Sequence, residues 1–97
     1  MATGPETRIV NAIMKRLNSE PQTLCWKIHG SAFQAAGIPD VVGLQRGIFF
    51  GIEVKVPGKK PTPIQALTLT RIRAAGGNAG CATSVAEALA ILEEAPY

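Results

Sequence analysis

The chain has 97 residues, 46% of them hydrophobic and 18% charged, with a formal net charge of +3. That length suits a single domain over residues 1–97 with a core of its own, and the composition excludes a disordered or low-complexity chain. No apolar stretch approaches a membrane span, and the opening Met1-Ala2-Thr3-Gly4-Pro5-Glu6 lacks the order of a secretory signal, so a cytoplasmic protein without membrane partners is expected.

From Pro5 to Leu17 the apolar residues Ile9, Val10, Ile13, Met14 and Leu17 recur at helical spacing, which predicts a first amphipathic helix. Asn18-Ser19-Glu20-Pro21 ends it. Thr23 to His29 reads as a strand and Gly30 to Gly37 as a loop. Ile38 to Leu44 and Ile48 to Val56 are rich in valine, isoleucine and phenylalanine and flank Gln45-Arg46-Gly47, the pattern of a hairpin.

After the Pro57-Gly58-Lys59-Lys60-Pro61 break, Ile64, Leu67, Thr68, Arg71 and Ile72 outline a second helix that Gly76-Gly77 ends. Asn78 to Ala82 predicts a short strand and Ser84 to Ala95 a third helix so rich in apolar residues that contacts on both sides are expected. The order is αβββαβα. A helical crossover makes the last two strands parallel, so the expected fold is α/β, a mixed sheet flanked by helices. Cys25 and Cys81 lie in apolar runs without metal-ligand spacing and read as reduced core thiols.

Within Ile52-Glu53-Val54-Lys55-Val56 the side chains alternate, so Glu53 and Lys55 share the face opposite the core. A lone Glu-x-Lys on a strand is usually a solvated ion pair. The other hairpin arm, Ile38-Pro39-Asp40-Val41-Val42, changes that reading. With Arg46-Gly47 as the turn Asp40 lies opposite Glu53, and with Gln45-Arg46 it lies diagonal to it; both registers keep the carboxylates on one face.

Two carboxylates that close repel unless protonated or bridged by a cation, and Mg²⁺ is the hard, oxygen-seeking ion that suits them. Such a site supports metal-assisted hydrolysis of a phosphate ester, with Lys55 either stabilising the transition state or helping to deprotonate water. Lys59 and Lys60, in the loop beyond the strand, are candidates for gripping DNA phosphates.

The run Gly37-Ile38-Pro39-Asp40-Val41-Val42 followed by Ile52-Glu53-Val54-Lys55 resembles the PD-(D/E)xK nuclease signature, and αβββαβ is the core order of that superfamily. More narrowly, the chain resembles the VRR-NUC group: Glu6 on the first helix, Asp40, Glu53 and Lys55, and Gln65 opening the next helix occupy that group's positions. The aromatic residue that often follows the glutamine is replaced here by Leu67 and Thr68. The resemblance implies a restriction-endonuclease-like fold and Mg²⁺ or Mn²⁺ held by Asp40, Glu53 and the Val54 carbonyl, with Glu6 assisting through water. It also implies a structure-specific endonuclease that acts as a homodimer on branched DNA such as Holliday junctions.

Glu6 and Gln65 have a competing explanation, because Thr3-x-x-Glu6, Thr62-x-x-Gln65 and Ser84-x-x-Glu87 all read as capping boxes. His29 is assigned no catalytic role. The rival function from another class is a noncatalytic DNA-binding module whose carboxylates only pair with basic neighbours.

Overall fold

A computed structural model describes residues 4–28 and 36–94. His29 and the expected loop that follows it lie largely outside them, as do Thr3 and Ala95, the last residue of the expected third helix. The elements are α1 (Pro5–Asn18), β1 (Thr23–Lys27), β2 (Val41–Gln45), β3 (Ile48–Val54), α2 (Pro63–Ala74), β4 (Asn78–Ala82) and α3 (Val85–Glu93). The αβββαβα order matches the expectation. The strands form one sheet in the order β1-β2-β3-β4, with β1-β2 and β2-β3 antiparallel and β3-β4 parallel through the α2 crossover.

Strand bounds are narrower than expected. β2 begins at Val41 rather than Ile38: Pro39 has no N–H to give a ladder, and on the β3 side the Val54 N–H donates to the Asp40 side chain instead of to a backbone carbonyl. β3 ends at Val54, although the Lys55 N–H still donates to the Ala82 carbonyl at 3.1 Å. Arg46 and Gly47 both have positive φ, 51° and 81°, so they form the two-residue turn whose twist matches that of the flanking strands. Gln45 therefore pairs with Ile48 and Val41 with Ile52, the first of the two registers considered.

One face of the sheet carries α1 and α3. Val10, Ile13 and Leu17 of α1 and Ala88, Ile91 and Leu92 of α3 bury against Cys25, Val41, Phe50, Ile52, Val54 and Ala82. Each fully buried aliphatic or aromatic side chain contributes about 1.5–3 kcal/mol relative to exposure. The large apolar residues of α3 thus point inward, and its outward face is Ala86, Glu87, Ala90 and Glu93. Packing within the chain accounts for that helix's composition. At the edge strand, Asn18 closes α1 onto β1: its Oδ1 accepts from the Cys25 N–H at 2.9 Å.

The other face carries α2, packed mainly on β3 and β4. Thr62 and Gln65 form a full capping box at its start, and at its end the Gly77 and Gly76 N–H groups donate to the Ile72 and Arg73 carbonyls. Leu69 is its buried residue, while Ile64 and Leu67 of the expected stripe stay exposed. A Cβ on Gly51 would come within 2.9 Å of both Ile72 Cδ1 and Pro39 Cγ, so only glycine lets helix and loop rest on mid-β3.

Gly51→Ala should consequently lower stability by about 1–3 kcal/mol through overpacking. Urea denaturation measures it, and an unchanged midpoint would show that Pro39 and Ile72 give way freely.

Candidate active site

Pro39 is fully buried beneath Gly51, and its ring restricts the chain that enters β2. The next residue is thereby held in place. Asp40 accepts at Oδ2 from the Val54 N–H at 2.8 Å, and its own carbonyl accepts from the Ile28 N–H at 2.8 Å. Both ends of Asp40 are tied to neighbouring strands. Continuing the Val41–Ile52 register by one residue sets Asp40 across from Glu53 on the face that carries α2.

Glu53 is only 2% exposed, the one acid of the described residues that is buried. Burial pushes its carboxyl up to about 8, the hydrogen bond and negative charge of Asp40 push in the same direction, Lys55 opposes them, and Glu6 adds a smaller repulsion. Burial and Asp40 thus both favour the protonated form of Glu53. Glu53 Oε2 is buried and has no hydrogen-bond partner. A buried oxygen left unpaired is costly, and a bridging cation would satisfy it.

The donor set fits a hard divalent ion. Among the described residues no three His, Cys, Asp or Glu side chains are gathered into a cage. Two carboxylates would supply the side-chain ligands, which suits an ion that keeps several waters and takes one or two carboxylates. The Val54 carbonyl belongs to the residue whose N–H already orients Asp40.

Lys55 lies immediately past β3, half-buried and close enough to Glu53 to favour its charged form. The expected grouping of Asp40, Glu53 and Lys55 is thus present in the fold. Glu6 also acts on Glu53 from the start of α1. Gly4 is the N-cap of α1, which puts Glu6 at the second helical position rather than the third, so a capping box does not explain it. Gln65 differs. Its Oε1 accepts from the Thr62 N–H at 2.9 Å, so its side chain is committed to the α2 cap. In α3 the Glu87 carboxylate reaches Thr83, and those hydrogen bonds lower its pKa. Lys59 and Lys60 are exposed in the loop beyond β3.

Cys81 was expected in the core and is not there. The parallel register pairs it with Glu53, so it occupies the same row as the two carboxylates, half-exposed, with its thiol pushed up by burial first and by the Glu53 charge next. Its position depends on the pairing of two strands far apart in sequence. No spacing rule within a strand reveals it. Cys25 is buried and both cysteines are free, as expected.

The raised Glu53 carboxyl has a consequence for stability. Its protonated form favours the fold, so in chelator that contribution is complete below the ordinary glutamate value of 4.5 and is lost as pH rises through about 8. The melting temperature of metal-free protein should fall across that window. Glu53→Gln should flatten the profile, and Mn²⁺ should restore the wild type at the alkaline end. A wild-type profile already flat in chelator would show that Glu53 is charged without metal.

No protein-family model and no curated protein matches the sequence. A solved structure described as a VRR_NUC domain matches with a TM-score of 0.75 and 26% identity, over 95% of this chain and 98% of that one. The aligned portion is nearly the whole of both chains, so the similarity extends to the layered arrangement of helices and mixed sheet as well as to the hairpin. Over nearly its whole length the chain is thus similar to a VRR_NUC domain, and its mixed sheet and flanking helices are consistent with a restriction-endonuclease-like α/β fold.

Proposed function

We propose that this protein is an Mg²⁺- or Mn²⁺-dependent endodeoxyribonuclease acting on branched DNA, with Holliday junctions among its substrates. The observation that supports it best is the buried, unpartnered Glu53 Oε2 set against Asp40 and beside Lys55. A protein that only binds DNA gains nothing from burying such a pair. The charge distribution agrees: from Val54 to Ala86 there is no acid, and Lys55, Lys59, Lys60, Arg71 and Arg73 all fall there.

In this reading Asp40 and Glu53 hold the ion with the Val54 carbonyl, and Glu6 assists through water. The bound ion would supply Lewis acidity and an acidified water for hydrolysis of the phosphodiester. Lys55 faces the same phosphate and stabilises the negative charge that builds on it. Lys59 and Lys60 grip neighbouring phosphates, and Gln65 holds the first turn of α2 beside the loop that carries them. Glu53 must lose its proton to bind the ion, so half-saturation by metal requires less Mg²⁺ as pH rises toward 8.

Two cuts across a four-way junction need two sites related by a twofold axis, so the active species in this proposal is a homodimer. Light scattering at micromolar concentration checks it. A monomer there would remove junction resolution from the reading.

The central test is cleavage of linear, flap and four-way DNA with Mg²⁺, Mn²⁺ or chelator. Cleavage should require the metal, and Lys55→Ala should reduce kcat by roughly 10²–10⁴-fold while DNA binding persists. Binding that survives chelation, with no cleavage under either metal, would establish the noncatalytic module instead.

A further inference from the structure

On the face that carries the carboxylates, α2 packs on β3 and β4, and among the described residues no helix packs on the first two strands. Trp26, Leu24 and Leu44 are 51%, 53% and 44% exposed there, in strands that pair Trp26 with Val42 and Leu24 with Leu44. Contiguous apolar surface of this kind on a small protein marks a binding site. Trp26 stands nearest the carboxylates. Asp40 is two residues before its partner Val42 on the same face, a diagonal neighbour at roughly 7–8 Å, within reach of an aromatic side chain.

We propose that Trp26 is a stacking platform for one unpaired base of the substrate strand, the base next to the scissile phosphate. The inference rests on the nuclease reading and names what that site recognises: DNA with an unstacked nucleotide at the cleavage point. An indole face accepts any base, which suits selection by structure rather than by sequence.

The surrounding charge favours this occupant. Apart from Asp40 and Glu53, every acid of the chain lies on or beside α1 and α3: Glu6, Glu20, Glu87, Glu93 and Glu94. The open face is bordered instead by Lys55 and by Arg71, which lines an apolar cleft of about 560 Å³ with Ile38 and Phe49. An apolar strip between cations and a metal-binding pair matches a nucleotide, with its base on the strip and its phosphates at the rim. A second copy docked face to face would bring the two cationic rims together.

Trp26 is the sole tryptophan, so intrinsic fluorescence reports on this site alone. The protein in chelator, titrated with a thymidine oligonucleotide, should show quenching that a flush duplex of equal length does not produce. Anisotropy of labelled flap DNA should show binding weakened roughly 5- to 100-fold by Trp26→Leu and largely retained by Trp26→Phe. In Mg²⁺ the loss should appear in KM for flap DNA rather than in kcat. Absence of quenching, or equal flap affinity of Trp26→Leu and wild type, overturns the proposal. So does emission that shifts to the blue with protein concentration before DNA is added, which would mark a second copy on the strip. Quenching and the Leu/Phe contrast without cleavage of any DNA would uphold the platform and sink the nuclease reading. Cleavage with flap KM unmoved by Trp26→Leu would do the reverse.

Discussion

The turn at Arg46-Gly47 sets the register of the β2-β3 hairpin, and the site depends on that register. With both residues at positive φ, Gln45 meets Ile48 and each later pair follows, until Val41 meets Ile52 and Asp40 comes to face Glu53. A slip of one residue would turn one strand's alternation over, sending Glu53 toward the α1 and α3 core or Ile52 and Val54 out of it. The cores on the two sides make such a slip costly. Folding energy thereby holds together two carboxylates that electrostatics would separate.

That arrangement is costly to the fold. A glutamate at 2% exposure, beside an aspartate and with one oxygen unpartnered, is disfavoured in its charged form by burial before any neighbour is counted. Isolated polar groups in cores are costly and usually satisfied, so an exception at the end of a strand, tied in by Pro39 and by the Val54 N–H, points to function. The remainder of the molecule offsets the cost conventionally, with two helices closing one face of the sheet and capped ends on α2 and α3.

The asymmetry of the sheet matters as much. Among the described residues two helices cover one face and α2 covers the other only over β3 and β4, so the paired carboxylates and exposed apolar residues lie side by side. The parallel β3-β4 pairing adds Cys81 to the row of Asp40 and Glu53. The same crossover carries Lys59, Lys60, Arg71 and Arg73 and no acid.

Much of this was legible in order and alternation. Helical spacing in Pro5–Asn18, the β-rich runs around Arg46-Gly47, and the Glu53-Val54-Lys55 alternation are local signals, because backbone periodicity and turn chemistry act over a few residues. They determined the element order, the mixed sheet and the shared face of the carboxylates. Other properties depend on contacts between segments distant in sequence. These are the burial of Glu53, the inward turn of α3 that accounts for its apolar residues, the rotation of α2 that buries Leu69 and exposes Leu67, and the placing of Cys81 and Trp26 beside the site. Only the tertiary structure decided them, since solvent exposure and cross-strand neighbours are set by which faces pack together, and no residue's own sequence neighbourhood encodes that.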